Sequence, residues 1–329
     1  MDMGKRLGTN PCVLEPMVAS LPRNECSEEE RQSCYGFQVN SSCSLRFLRK
    51  GGGQETLEVI EMAGPFGAPP RETLLLEWTL RDPSADVTAR LYGSDGIFQF
   101  WTSDAGWYRI DPAARKIEIS EHEDEIRREQ RLWGVPTALC YMERGDFALH
   151  AAAVEVDGRA IILAAPGRFG KTTLALAFHR QGYRLLTEDT TCCSLAPEPF
   201  LLPGPTSIRL RPDMFDGHAP PGTTVFSLRS DRIHLGLDSD RIGNGKRVPI
   251  RALVFLRESS GGTFLERVKT GVAIPDLWTL NFRFQNNAQR SRSFSQLTGL
   301  AGAIPVWNLH RPLHLASLDD VVLQVVETC

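Results

Sequence analysis

The chain has 329 residues, a formal net charge of −3, and 42% hydrophobic and 23% charged residues. This length allows two domains with a sizeable core, and the composition is ordinary for a soluble protein. The weakly negative charge argues against a nucleic-acid partner, and the absence of a run of about 20 apolar residues argues against a membrane span.

Residues 1–34 are predicted to form a loosely ordered arm, because most of this segment is polar, contains prolines and lacks a sustained hydrophobic period. The segment also lacks the apolar core of a signal peptide, so a cytoplasmic location is expected. Residues 35–123 contain short alternating runs separated by Gly, Asp and Pro, which predict a mainly β domain. Residues 124–145 show loose helical spacing broken by Pro136, which predicts a helical linker to a catalytic domain at residues 146–329.

The eight cysteines give no sign of a metal site or a disulfide framework. None forms a CxxC pair, and the spacing of Cys26, Cys34 and Cys43 fits no common zinc pattern. The expected role is that of reduced thiols that pack as small hydrophobic side chains.

Residues 150–189 have the pattern of a phosphate-binding loop between a strand and a helix. Residues 160–164 are a continuous apolar run, typical of a buried β-strand. The turn APGRFGKT follows at residues 165–172, and residues 173–181 then have the spacing of a helix that ends before Gly182. Residues 184–187 predict a second short strand. Together these features form the context that a P-loop requires.

In a P-loop, backbone N–H groups at the head of the helix bind phosphate oxygens, and the helix dipole adds to the attraction. Lys171 would supply positive charge to the β- and γ-phosphates, and the Thr172 hydroxyl would be a ligand of Mg²⁺. ATP and Mg²⁺ are therefore the predicted cofactors. Ala165 replaces the usual first glycine, and a small residue is expected to suffice there. The predicted nucleotide-binding residues are Ala165, Pro166, Gly167, Arg168, Phe169, Gly170, Lys171, Thr172 and Thr173. A chance GKT sequence in a strand–turn–helix is the alternative.

Two acids, Glu188 and Asp189, end the strand that follows the helix. One carboxylate there can hold Mg²⁺, and its neighbour can take a proton from an attacking hydroxyl. His150 opens the strand before the loop and reaches the same end of the sheet only if the chain folds back. A histidine at the start of a strand is more often structural, so the position of His150 does not by itself predict a catalytic role.

The rest of the chain continues the strand and helix pattern. Arg209 and Arg211 alternate on a short strand, so they would share a face that could clamp a phosphate; a solvated pair is the alternative. Residues 217–224 are predicted to be a loop, and residues 232–237 and 247–258 to be strands. The polar, Arg-rich residues 285–293 predict either a mobile loop over the substrate or a solvated connection. Residues 294–303 predict a helix, and residues 317–320 begin a last helix.

The segment at residues 150–189 resembles, without a gap, the catalytic domain of HPr serine kinase/phosphorylase. It is most similar to the HPr-kinase-like proteins of bacterial clusters that make modified peptides, including the lasso-peptide kinases. The family combines a His–small residue pair, a strand, the P-loop, a helix ending in Gly, and a paired-acid motif. The resemblance implies an α/β fold of the HPr-kinase and phosphoenolpyruvate-carboxykinase-like type, here preceded by the mainly β domain.

By this resemblance, His150 would contact phosphate or the catalytic acid, Glu188 would be the catalytic base, and Asp189 would be the metal ligand. The family usually has Asp at the position of Glu188. The implied activity is ATP- and Mg²⁺-dependent transfer of phosphate to a Ser hydroxyl of a peptide or small protein, with a lasso-type precursor peptide first and HPr second. A nucleotide-binding scaffold without transfer activity and a phosphorylase or phosphatase are the alternatives. Self-association into a homo-oligomer stays open.

Overall fold

The structure, a computed structural model, describes residues 31–64, 66–67, 69, 73–80, 86–167, 169–238, 241–242, 244–284, 286–313 and 318–329. Within these ranges the protein is a mixed α/β fold with two nine-stranded sheets, a three-stranded sheet and six α-helices. The six cysteines in the same ranges are all free, and most of them are buried.

The N-terminal sheet has the strand order β3-β1-β2-β4-β9-β8-β7-β6-β5. Strands β5 to β9 form an antiparallel meander, whereas β2, β4 and β9 run parallel. One face is apolar and packs against two helices, α1 (Glu125–Leu132) and α2 (Val135–Glu143). The strands are β1 (Gln32–Cys34), β2 (Phe37–Ser41), β3 (Arg49–Lys50), β4 (Glu55–Met62), β5 (Leu74–Leu80), β6 (Val87–Ser94), β7 (Ile97–Thr102), β8 (Gly106–Asp111) and β9 (Lys116–Ser120).

The predicted arm extends too far, because strand β1 lies within it. Residues 1–30 lie outside the described residues, but β1 pairs with β2 in a tight hairpin whose turn is Tyr35 and Gly36. Both turn residues have positive φ, 51° and 75°, the geometry that a two-residue hairpin favours. A tyrosine is uncommon in this conformation, so the sequence does not indicate the turn. The division of the chain into separate domains stays a prediction.

The C-terminal sheet has the order β10-β14-β15-β19-β12-β11-β13, with β21 beside β19 and β20 beside β21. Strands β12, β19 and β21 run parallel at its centre. Helices α3 (Lys171–Arg180) and α6 (Leu318–Thr328) cover one face, and α4 (Thr270–Leu280) and α5 (Asn287–Ala303) cover the other. The strands are β10 (Phe147–Leu149), β11 (Ala151–Val156), β12 (Arg159–Ala164), β13 (Arg184–Thr187), β14 (Thr191–Ser194), β15 (Phe200–Leu202), β19 (Val248–Glu258), β20 (Phe264–Arg267) and β21 (Val306–Arg311).

A small antiparallel sheet lies beside α3 and shares its apolar core. It consists of β16 (Ser207–Leu210), β17 (Thr223–Leu228) and β18 (Ile233–Leu237), with β18 in the middle. The predicted loop at residues 217–224 is therefore wrong at its end, where β17 begins. The sequence does not indicate this strand, because TTVFSL contains few apolar residues and every second residue is exposed.

The predicted loop at residues 285–293 is also wrong, because most of it is the first half of α5. The Asn286 side chain accepts a hydrogen bond from the Gln289 backbone N–H at 2.9 Å and so caps the helix. Buried Ser293 and Leu297 continue one face of the helix toward the core. The polar composition of residues 287–293 indicates a loop, but these residues form the half-exposed start of α5, where few side chains face the core. Ser317, predicted at the start of the last helix, lies outside the described residues.

Arg49 of β3 joins the N-terminal sheet to the rest of the molecule. Its buried guanidinium donates to the backbone carbonyls of Gly204, Leu185 and Leu186 at 2.7, 2.9 and 2.7 Å, and also to that of Ile242. Burial lowers the pKa of Arg49 to about 10, so the side chain stays cationic at neutral pH. One side chain of the N-terminal sheet therefore donates to four backbone carbonyls outside that sheet.

We expect Arg49→Met to reduce the free energy of unfolding by about 2–4 kcal/mol, because it removes several hydrogen bonds that a buried, charged guanidinium donates to backbone carbonyls. Chemical denaturation measures the change. Arg46→Met is the matched control, since Arg46 forms an exposed ion pair with Glu125 that contributes at most about 1 kcal/mol. Equal effects of the two substitutions would contradict a joining role for Arg49.

Candidate functional site

The loop at residues 165–170 leads from the end of β12 directly into α3, so the predicted strand, turn and helix are confirmed. The helix begins at Lys171, two residues earlier than predicted. Gly170 precedes it with φ of 78°, a conformation that favours glycine, and a Cβ there would collide with the guanidinium of Arg311. Arg168 lies outside the described residues. Of the other predicted nucleotide-binding residues, Ala165, Pro166, Gly167, Phe169 and Gly170 lie in this connection, and Lys171, Thr172 and Thr173 open α3.

The Lys171 side chain folds back over its own loop. Its Nζ donates to the carbonyl oxygens of Ala165 and Pro166 at 2.8 and 3.3 Å, and it lies 3.1 Å from Nε2 of His150. Burial lowers the pKa of Lys171, and Arg209 lowers it further, while Asp189 and Glu188 oppose the shift. A buried ammonium therefore faces the end of the sheet where the two acids lie.

His150 lies between β10 and β11, and the fold brings it to the acid pair. Its backbone N–H donates to Leu280 at 2.7 Å, and its Nδ1 lies 3.0 Å from the backbone carbonyl of Asp189. Burial lowers the pKa of His150, with Lys171 adding to the effect, so the neutral ring is favoured at neutral pH. Because an ammonium can only donate, Nε2 accepts from Lys171, and the ring proton is on Nδ1, which donates to Asp189.

The two carboxylates have different surroundings. Glu188 is 7% exposed, and its carboxylate accepts a hydrogen bond from the Thr172 hydroxyl. Burial raises the pKa of Glu188, and the charge of Asp189 adds to this effect. The Asp189 side chain is 43% exposed and pairs with Arg209 at 2.6 Å. Burial of the carboxyl favours the neutral form, but Arg209, His150 and Lys171 together hold the pKa of Asp189 well below its ordinary value.

Arg209 and Arg211 line the same cleft beside the start of α3, but their guanidinium groups pair with different acids. That they clamp a phosphate together stays a prediction. Arg209, on β16, contacts both acids, with its Nε 3.7 Å from Glu188. Arg211 lies beyond the end of that strand, where it is half-exposed and pairs with Asp213. The strand ends at Leu210, and the Arg211 backbone remains extended just beyond it.

Arg311 is a cation of this site that the sequence does not indicate. It ends β21, is 3% exposed, and lies against Gly170. Its Nη1 donates to the Pro312 carbonyl at 3.2 Å, and its buried Nε has no partner among the described residues. No described carboxylate forms an ion pair with it. Only the parallel pairing of β21 with β19, and of β19 with β12, brings Arg311 to the loop.

Two clefts meet at the acid pair. The larger, about 530 Å³, runs along the start of α3 and includes Arg209, Arg211 and Arg311; we call it the phosphate cleft after the sequence prediction. The aromatic chamber, about 250 Å³, lies on the other side. His150, Glu188, Asp189 and Arg209 line both spaces. The remaining walls of the chamber include Tyr35, Trp78, Phe100, Trp133, Leu280 and Phe282.

Two kinds of feature are absent from the described residues. No helix in the described ranges is both long and apolar enough to cross a bilayer. The described side chains also include no cluster of three or more His, Cys, Asp and Glu groups arranged to hold a metal ion. A metal in this site would therefore need ligands from fewer carboxylates, from hydroxyl groups or from a bound substrate.

Comparisons with known proteins give little further support. No protein-family model matches the sequence, and no curated protein matches it. Among solved structures, the HPr(Ser) kinase/phosphatase from Coxiella burnetii matches with a TM-score of 0.30 and 11% sequence identity, over 55% of this chain and 93% of that chain. So low a TM-score does not establish a common fold.

We expect Arg209→Met to raise the pKa of Asp189, because the substitution removes the strongest positive charge that favours the ionised carboxylate. A ¹³C NMR titration of the Asp189 carboxyl measures the shift. Arg211→Met is the control, since Arg211 contacts neither acid, and it should leave the titration unchanged. The same Asp189 titration in the Arg209 variant and the parent would contradict this arrangement of charges.

Proposed function

We propose that the protein is an ATP- and Mg²⁺-dependent phosphotransferase that phosphorylates a Ser hydroxyl of a peptide or small protein. One observation carries the proposal: the ammonium of Lys171, neutral His150 and the acid pair form a continuous chain of contacts between two clefts. The resemblance of residues 150–189 makes a precursor peptide of a modified-peptide cluster the first acceptor to test, and HPr the second. A cytoplasmic location agrees with the use of ATP.

The phosphate cleft has the properties of a polyphosphate site. Gly170 and the first residues of α3 line it, and the backbone N–H groups at a helix start attract anions. Lys171 and Arg311 add two cations, and neither of them has a carboxylate partner within ion-pair distance among the described residues. A phosphate chain would give the buried Nε of Arg311 the acceptor that it lacks.

The contact between Thr172 and Glu188 fits a magnesium ion. A P-loop hydroxyl and a nearby carboxylate are the protein ligands that Mg²⁺ uses beside phosphate oxygens and water. The sequence predicts Thr172 and Asp189 as the metal ligands, but the Thr172 hydroxyl donates to Glu188 instead. We therefore propose Thr172 and Glu188 as the metal ligands. Mg²⁺ held there would neutralise charge on the β- and γ-phosphates.

Asp189 then becomes the carboxylate that receives the acceptor hydroxyl. It is the more exposed of the two acids, and its lowered pKa keeps it ionised at neutral pH. His150 donates to the backbone carbonyl of Asp189 and accepts from Lys171, so it fixes the position of the acid relative to the phosphate-side cation. The hydroxyl would donate its hydrogen bond to Asp189 and pass its proton there as the phosphoryl group moves.

The direct test incubates the protein with ATP, Mg²⁺ and candidate Ser-containing peptides and follows the peptide by intact mass. We expect a gain of one phosphate with the parent protein and none with Lys171→Ala, because the variant loses the charge beside the γ-phosphate. The variant's melting temperature serves as the control for folding. ATP binding without transfer would favour a scaffold, and loss of phosphate from a phosphopeptide would favour the reverse reaction.

A comparison of Glu188→Gln with Asp189→Asn tests the assignment of the acids. We expect Glu188→Gln to raise the Mg²⁺ concentration needed for half-maximal nucleotide binding. Asp189→Asn should instead slow single-turnover transfer by roughly 10²–10⁴-fold with little change in nucleotide affinity. Each substitution keeps the shape of its side chain and removes the charge. The opposite pattern would restore Glu188 as the base and Asp189 as the metal ligand.

A further inference from the structure

The aromatic chamber begins where the proposed reaction would take place. Its polar end is formed by His150, Glu188, Asp189 and Arg209, the same groups that close the phosphate cleft. An in-line displacement needs the attacking and leaving oxygens on opposite sides of the transferred group. With ATP in the phosphate cleft, the acceptor hydroxyl would approach Asp189 from the chamber.

Most of the chamber wall is apolar, and it comes from both sheets. Trp78 and Phe100 of the N-terminal sheet stack with their ring centroids 5.8 Å apart. Trp133 follows α1, and Leu280 and Phe282 lie at the end of α4. A polar or charged ligand group would lose its hydration against these side chains, whereas an apolar group gains from burial.

The charged groups around the chamber already have partners. Arg131 pairs with Asp104 at 2.7 Å, and Arg209 pairs with Asp189. Because the pKa of His150 is lowered by burial and by Lys171, its ring adds no positive charge at neutral pH. The chamber therefore offers no unpaired cation, among the described residues that line it, to select an acidic ligand.

The walls are fixed relative to the acid pair. The carbonyl of Leu280 accepts from the His150 backbone N–H at 2.7 Å, and the indole of Trp133 donates to Glu129 at 3.1 Å. Tyr35, at the tip of the first hairpin, donates from its hydroxyl to the Thr190 carbonyl at 3.1 Å. These bonds hold the chamber ready for a ligand, which reduces the ordering cost of binding.

We infer that the chamber binds the acceptor through a large apolar side chain, aromatic or aliphatic, directly beside the Ser that is phosphorylated. This inference rests on the proposed function and extends it, because it names the acceptor class and makes the N-terminal sheet part of the acceptor site. A volume of about 250 Å³ is below the roughly 300–1,000 Å³ of drug-sized pockets. It therefore suits one side chain and its neighbouring Ser, presented by a peptide or an extended loop.

The test measures binding without requiring transfer. Two heptapeptides, identical except for Phe or Lys beside a single Ser, are titrated into the full chain with ADP and Mg²⁺ by calorimetry. We expect the Phe peptide to bind roughly 10- to 100-fold more tightly, the gain for burying one large apolar side chain. Trp78→Ala should remove most of this preference. Trp101→Ala is the matched control, because Trp101 does not line the chamber.

The milder Phe282→Leu variant keeps the test decisive if Trp78→Ala fails to fold, and it should weaken the preference in part. Equal binding of the two peptides, or a preference that both chamber variants retain, would overturn the inference and mark the chamber as a packing gap. The mass assay for phosphate transfer distinguishes this inference from the proposed function. Phosphate gain without a preference for the Phe peptide would overturn the chamber assignment alone. A chamber-dependent preference without phosphate gain would overturn the proposed transfer and support the peptide site.

Discussion

Two adjacent carboxylates can occupy the end of a buried strand only if other groups compensate their charge. Burial disfavours ionisation of both Glu188 and Asp189, and the charge of Asp189 further disfavours ionisation of Glu188. Arg209 contacts both acids, Thr172 donates to Glu188, and His150 connects Asp189 to Lys171. The small sheet that carries Arg209, the helix that carries Thr172 and the strand junction that carries His150 must therefore all meet at this point.

The different surroundings of the two acids also give them different pKa shifts, which is the basis for the different roles that we propose for them. The proton affinity of Glu188 is raised and that of Asp189 is lowered, although the two residues are neighbours in the chain. Neighbouring titratable groups with opposite shifts are typical of sites in which the two have different roles. In the proposed reaction, Glu188 on the side of Thr172 serves the phosphates, and the more exposed Asp189 serves the acceptor.

The parts of the site that are close in sequence could be predicted, and the parts brought together by long-range pairing could not. The strand, loop and helix at residues 160–181 depend on local spacing, and the structure confirms them with a shift of two residues at the helix start. Arg311 reaches the loop only through two parallel strand pairings. The chamber requires the N-terminal sheet to pack beside the acid pair. The different partners of Arg209 and Arg211 could not be predicted either, because the sequence indicates only a phosphate-clamping pair or a solvated pair and does not show where β16 ends.

The arrangement of two clefts around one acid pair is tested most directly by a crystal structure of the protein with a non-hydrolysable ATP analogue, Mg²⁺ and a Phe-Ser peptide. We expect the γ-phosphate group near Lys171 in the phosphate cleft and the Ser hydroxyl beside Asp189 at the chamber end. The phenyl ring would contact Trp78. A nucleotide bound in the chamber, or both ligands in the phosphate cleft with the acceptor remote from Asp189, would contradict this arrangement.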